Sequence, residues 1–261
     1  MTLSWHICFT RDRCLLICLC VAHARSRLLC GIIIVSLISR LKRHIPYRLK
    51  APLGRVFALR DSIAAHRRLS LRPCELQSRH LDGCRLLPDR RALLKLLPSD
   101  GVVAEVGVAQ GNFSAEILAL THPRKLHLID LWESSVPGSN DQAFQAISSR
   151  FSAEEKQGSV QFHRAYSSDA IRCLPQGSLD WIYLDAGHDY DNVVSDLAAA
   201  SKAIKPNGLI AGHDYVKWRS WNGRFGVVEA VNEFCLSHDF AFRYLTFEAN
   251  MHHSFVLQRI G

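Results

Sequence analysis

The stretch from Val102 to Ser114, Val-Val-Ala-Glu-Val-Gly-Val-Ala-Gln-Gly-Asn-Phe-Ser, constrains the chain more than any other. Val102 to Val108 is apolar apart from Glu105 and Gly107, the pattern of a parallel strand covered on both faces. Gly107 and Gly111 mark a turn. Phe113, Ile117 and Leu120 then share one helical face, with Asn112 or Ser114 available as a cap. A strand, a glycine turn and a helix in that order let backbone N–H groups and a helix N-terminus approach a ligand without side-chain obstruction.

Strand and helix patterns alternate through the rest of the chain. The strand readings are Lys125–Trp132, Val160–Arg164, Leu179–Asp185 and Gly208–Gly212. Helices are expected over Asp141–Phe151 and Asp191–Ile204, and a polar loop, Tyr166–Asp169, is expected to enter a short helix that runs through Leu174. Right-handed crossovers between such elements build a parallel sheet with helices on both faces. A helix near Ala230–Phe234 and two antiparallel strands, Phe240–Thr246 and Ser254–Arg259, would complete it. The expected fold is therefore α/β and Rossmann-like: a doubly wound, mostly parallel seven-stranded sheet closed by a C-terminal antiparallel hairpin. Ahead of the glycine turn, Leu86–Leu97 is predicted as a helix, with Pro88 near its first position. The domain boundary is set just before it, giving a basic extension over residues 1–83 and a domain over 84–261.

Charge supports this division. The net charge of +8 belongs to the first third, because residues 1–90 carry 17 Lys/Arg against 5 Asp/Glu while residues 91–261 carry 15 against 19. A nucleic-acid partner is thus not expected for the domain. The apolar runs 14–22 and 28–39 are too short for a membrane span, and Arg25 and Arg27 separate them. With Arg40, Lys42 and Arg43 they suit a peripheral contact of residues 14–43 with an anionic membrane surface, on an extension expected to be poorly ordered. Val56–His66 reads as an amphipathic helix. Nine dispersed cysteines without zinc-type spacing point to reduced thiols, hence a cytoplasmic setting.

Three constellations carry chemistry. Asp130 ends the second strand, where a carboxylate can accept from a ribose hydroxyl pair. The fourth strand ends in Asp185-Ala-Gly-His-Asp-Tyr190 and the fifth in Gly212-His-Asp-Tyr215, so both clusters reach the same sheet edge. Asp185 and Asp214 there, with one of His188 and His213, could hold a hard divalent ion such as Mg²⁺ or Mn²⁺. His188 or His213 could instead take a proton as a general base. Met251-His-His-Ser254 is expected to be a polar hairpin turn. A triphosphate loop is not supported, since Asn112-Phe113 stands where Lys-Ser/Thr would follow the last glycine. A nicotinamide-dependent oxidoreductase and a non-catalytic nucleoside-binding module remain alternatives at this point.

Glu105-Val-Gly-Val-Ala-Gln-Gly111, Ile129-Asp130, Asp180–Asp185 and Lys205-Pro-Asn-Gly208 together resemble class I S-adenosylmethionine-dependent methyltransferases. The clusters at Asp185–Tyr190 and Gly212–Tyr215 are similar to those of the small-molecule O-methyltransferase group that includes the macrocin-type, metal-dependent sugar O-methyltransferases. The resemblance covers residues 84–260. It implies that Glu105, Gly107 and Gly111 line the methionine end of S-adenosylmethionine, that Asp130 binds its ribose and that Ser167 or Ser168 lies near its adenine. It further implies a divalent metal on Asp185, His213 and Asp214, a catalytic role for Asp185, His188 and His213, and a small-molecule hydroxyl, a sugar among the options, as methyl acceptor. Where some members carry an acid two residues after the fourth-strand Asp, this chain has Gly187. His188 is then the nearest base. Trp132, Tyr190, Tyr215, Trp218 and Trp221 are candidate walls for the acceptor pocket, and a homo-oligomer is left open.

Overall fold

The computed structural model describes residues 74–133, 140–217, 219–220 and 223–260. The membrane-contact segment, the Val56–His66 helix, Trp218 and Trp221 lie outside them. Among the described residues no helix is long and apolar enough to cross a membrane.

An eight-stranded sheet organises the described chain: β1 (Arg85–Leu87), β2 (Val102–Val106), β3 (Lys125–Asp130), β4 (Val160–Arg164), β5 (Leu179–Leu184), β6 (Ile204–Gly212), β9 (Phe240–Thr246) and β10 (Phe255–Arg259), in the spatial order β1-β9-β10-β6-β5-β2-β3-β4. The pairings β2 with β3, β3 with β4, β2 with β5 and β5 with β6 are all parallel. Only β10 runs against both its neighbours, β6 and β9. A separate ribbon joins β7 (Arg219–Ser220) to β8 (Gly223–Arg224).

The eighth strand corrects the sequence reading, which gave seven and placed Leu86 and Leu87 in a helix. Leu87 precedes Pro88, whose ring disfavours the helical region for the residue before it. Leu87 is instead extended, and Arg85–Leu87 pairs with Tyr244–Thr246. Asp89 then caps the helix by accepting from Ala92 N at 2.7 Å, so α1 is only Arg90–Leu94. The residues before the expected boundary also pack here: Asn232 Nδ2 donates to Cys74 O at 3.0 Å and Leu76 sits against the core.

The helices α2 (Asn112–Thr121), α3 (Asn140–Arg150), α4 (Ser152–Lys156), α5 (Ser167–Cys173), α6 (Tyr190–Ala203) and α7 (Val227–His238) cover the sheet. Two apolar clusters record its two faces. One joins Leu93, Ile117 and Ile147, from α1 to α3, to Val103, Leu126 and Tyr183 of the strands. The other joins Ile171, Leu197 and Val231, from α5 to α7, to Ala104, Ile129 and Ile182. Alternating side chains of one strand thus serve opposite cores, which is why β2 and β5 read as continuous apolar runs.

Candidate functional site

At the carboxyl edge the strand ends are stitched together. Gly107 N donates to Ile129 O at 2.9 Å, Asp185 N to Val106 O at 2.7 Å and His213 N to Leu184 O at 3.0 Å. Gly107 has φ +90°, and a Cβ built there would meet Asp185 O at 1.8 Å, so only glycine allows β2 and β5 this approach. Gly111, with φ +72°, begins α2, and no side chain caps that helix.

The loop between the two glycines is held by the end of β3. Asp130 accepts from Ala109 N through Oδ2 and from Trp132 N through Oδ1, each at 2.8 Å. Trp132 Nε1 donates back to Ala109 O at 3.2 Å. Trp132 is buried, so the structure corrects its assignment as an acceptor-pocket wall: it is a clasp on the loop, packed against Phe144 and Phe162. Arg150 closes the other side, donating to Gln110 O at 2.6 Å and to Asn112 Oδ1 at 2.9 Å. Beneath the loop Glu105 is 1 % exposed and accepts from Ser114 Oγ. Burial pushes its carboxyl up to about 8, against which the Ser114 hydrogen bond acts only in part. Ser167 Oγ donates to Asp196 Oδ1 at 2.7 Å, tying the start of α5 to α6, and Ser168 Oγ accepts from Arg172 Nη1 at 3.2 Å.

One strand over, the side chains of β5 and β6 converge. Donor atoms of Asp185, His188 and Asp214 all lie within 4.8 Å of one another. His188 Nε2 is 2.6 Å from Asp214 Oδ2 and 3.6 Å from Asp185 Oδ1, yet this buried nitrogen makes no well-directed hydrogen bond. The contacts with Asp185 and Asp214 raise the imidazole pKa to about 9 despite its burial. Asp214 moves the opposite way: burial alone would raise it, but the contacts from His188 and His252 outweigh that and leave its carboxyl below the ordinary range. Asp214 also holds φ +57°, a conformation non-glycine residues adopt rarely and at functional sites often.

His213 does not join that group. Its Nε2 is 3.8 Å from Asp214 Oδ1, and its Nδ1 is 2.9 Å from Ser254 Oγ. It does line the same small cavity as Asp185, His188, Val227 and Phe255. Asp189 of the fourth-strand motif is a helix cap, accepting from Asn192 N at 3.2 Å. A Cβ at Gly187 would meet Asn192 Cβ at 2.9 Å, so that position cannot carry an acid without a shift. Gly226 N donates to His188 O at 2.8 Å, which brings Phe225 to stack on His188 with centroids 4.6 Å apart.

The turn expected to be a bland hairpin supplies a further residue. His252 Nδ1 hydrogen-bonds Asp214 Oδ1, and its ring lies 6.3 Å from that of His213. Only the pairing of β10 with β6 carries it there, a long-range contact with no local signature. Tyr215 faces the core instead, bonded to Asn232 Oδ1 at 2.8 Å and packed on Phe242 and Phe255; Tyr190 reaches Glu233.

Residues 104–215 match the family of the methyltransferase domain. No curated protein matches the chain. Among solved structures, it is similar to a protein named as a provisional rRNA methylase from Clostridium thermocellum, with 14% identity, a TM-score of 0.51, and 66% of this chain and 94% of that one covered. It is also similar to the pyocyanin biosynthetic protein PhzM, with 15% identity and a TM-score of 0.50, covering 65% of this chain and 54% of the other, about half its length. The described chain thus has a Rossmann-like fold, and its segment 104–215 matches the methyltransferase-domain family.

The edge also has features that suit the two groups expected from the sequence resemblance. For S-adenosylmethionine there are the glycine loop with no room for a Cβ, the uncapped start of α2, and an Asp130 carboxylate whose oxygens keep further lone-pair sites beside the loop. For a divalent ion there are two carboxylates and the undirected His188 Nε2, a mixed oxygen and nitrogen set.

Proposed function

We propose that this protein transfers a methyl group from S-adenosylmethionine to a hydroxyl of a small molecule, with a sugar hydroxyl among the candidate acceptors. The observation that carries the reading is the convergence of Asp185, His188 and Asp214 one strand away from the glycine loop. S-adenosylmethionine supplies an electrophilic methyl carbon on a sulfonium centre. The chain must align an acceptor oxygen with it and dispose of one proton, because in-line displacement depends chiefly on positioning.

The glycine loop, Asp130 and the α2 N-terminus are the cofactor half in this reading. Asp185, His188 and Asp214 form the acceptor half and would hold a divalent ion, which would lower the pKa of a bound hydroxyl. This replaces His213 of the expected metal set by His188. His188, with its Nε2 turned to Asp185 and Asp214 and assigned to the ion, is not placed to act as the base. His213, facing the same cavity, is assigned to accept the proton. A small acceptor is preferred over nucleic acid because residues 91–261 carry more acidic than basic side chains, although one structural neighbour bears an rRNA methylase name.

The test mixes pure protein, methyl-labelled S-adenosylmethionine and Mg²⁺ or Mn²⁺ with size-fractionated cell extract, with and without chelator. Label is expected in small hydroxylated compounds and to fall on chelation. Label appearing in RNA or protein, with none in the small-molecule fraction, would reject the acceptor assignment. Calorimetry with S-adenosylhomocysteine and with NAD separates the oxidoreductase reading, which requires binding of the second.

A further inference from the structure

Behind His213 lies a chain of polar groups that the transfer reaction, as described, does not use. Ser254 Oγ is 2.9 Å from His213 Nδ1, 3.0 Å from Tyr183 OH and 3.2 Å from Glu248 Oε1. Ser254 and Tyr183 are fully buried. A serine hydroxyl has one proton to give and two lone pairs to receive with, so three contacts fix its hydrogen-bond directions once two of them are known.

Both can be assigned. The Tyr183 phenol is fully buried, and among the described residues its hydrogen-bond contact is Ser254 Oγ. If Tyr183 accepted instead, a buried O–H would be left without a partner, a costly arrangement. Tyr183 therefore donates to Ser254. A carboxylate can only accept, so Glu248 takes the Ser254 proton, and it takes that of Thr246 Oγ1 as well, at 3.1 Å. Thr246 Oγ1 in turn accepts from Ser254 N at 2.6 Å, which holds the hydroxyl in place. With its own proton given to Glu248, Ser254 has only a lone pair to offer His213.

We infer that Glu248, acting through Ser254, holds His213 in the tautomer with its proton on Nδ1, leaving the Nε2 lone pair beside Asp214 in the acceptor cavity. Glu248 and Ser254 are positioning residues: neither is placed against substrate, and each acts through the imidazole. The kinetic consequence rests on the proposed role of His213 as proton acceptor, whereas the tautomer itself does not. The same lone pair would be available to any group entering the cavity that needs an acceptor. No local pattern in the sequence joins Glu248 to His213, since the two meet only because β10 lies between β9 and β6.

The experiment is nitrogen–proton correlation spectroscopy of the full chain labelled with ¹⁵N-histidine, with the His213 signals assigned by their loss in His213→Gln. The native protein is expected to show one tautomer for His213, protonated at Nδ1 and unprotonated at Nε2. Glu248→Gln keeps the shape but can turn an amide N–H toward Ser254, and is expected to abolish the single-tautomer pattern. Native protein protonated at Nε2 would overturn the proposal, as would a Glu248→Gln spectrum indistinguishable from native. Should Glu248→Gln not fold, the native spectrum alone still decides the first point. In transfer assays Glu248→Gln is expected to lose about ten- to a hundredfold in kcat, the usual scale for a partner that orients a functional histidine, with KM for S-adenosylmethionine unchanged. A tautomer that shifts while kcat does not would retain the positioning network and reject His213 as the base.

Discussion

The two halves of the carboxyl edge are built by different means. On the β2–β3 side the shape is held by backbone: glycines at positive φ, strand-end amides, and side chains such as Asp130 and Trp132 whose bonds return to the loop. On the β5–β6 side it is held by charge, with Asp214 between His188 and His252 and Asp185 close by. A backbone-built half fails through sterics and takes the fold with it. A charge-built half can lose chemistry while the sheet stays intact.

The strongest way to break the first half is Gly107→Ala. Its methyl would overlap Asp185 O and sit at φ +90°, where neither strand can yield alone. A loss of about 3 kcal/mol or more is expected, read as a fall in the urea midpoint or as failure to recover folded protein. Gly111→Ala sharpens the point. Its methyl would meet the Ile147 and Phe151 side chains, which can move, so roughly half that loss is expected.

Asp214→Asn is the matching test of the second half. Acceptor turnover is expected to fall by about 10²-fold or more in kcat/KM, the scale of a lost acid–base or charge-positioning group. Affinity for S-adenosylhomocysteine, measured by calorimetry, should stay within about threefold. A large loss of cofactor affinity in this variant would show that the two halves are one unit, against the division drawn above.

Glu105→Gln probes the floor beneath the glycine loop. Burial lifts the Glu105 carboxyl from 4.5 to about 8, so between those values the folded state binds more protons than the unfolded one. Stability contributed by the protonated group is complete below 4.5 and is lost as pH rises through about 8. The slope is on the order of 1 kcal/mol per pH unit across that window. Glutamine copies the neutral acid, still accepts from Ser114, and should flatten the profile, making the variant the more stable protein at pH 8. Parallel melting curves of the two proteins from pH 5 to 9 check this.

The same contrast explains what could be read in advance. The glycine turn, Asp130 and the strand-end motifs are local in sequence, and their spacing alone brought Asp185, His188 and Asp214 to one edge. The extra strand at Arg85–Leu87 was hidden because three residues carry no period, and its partner Tyr244–Thr246 lies far along the chain. The role of Trp132 was hidden because an aromatic side chain looks the same whether it lines a pocket or clasps a loop. Choosing His188 over His213 as the third member of the cluster depends on ring orientation, which no spacing encodes.

His252 is the residue whose contribution is expected to be smallest and most specific. It reaches Asp214 through Nδ1 from a turn next to β10, and together with His188 it holds that carboxyl below its ordinary range. His252→Ala removes one donor but leaves His188 in place, so about a tenfold loss of turnover is expected, equivalent to about 1.4 kcal/mol, a normal scale for a hydrogen bond to a charged group. Asparagine can place its amide N–H near the position of Nδ1, without the rest of the ring. His252→Asn should therefore recover most of the activity, whereas His252→Gln, with its donor one bond further out, should recover less. Equal activity in all three variants would mean that Asp214 is set by His188 alone, and that the hairpin closes the sheet without serving the acceptor half.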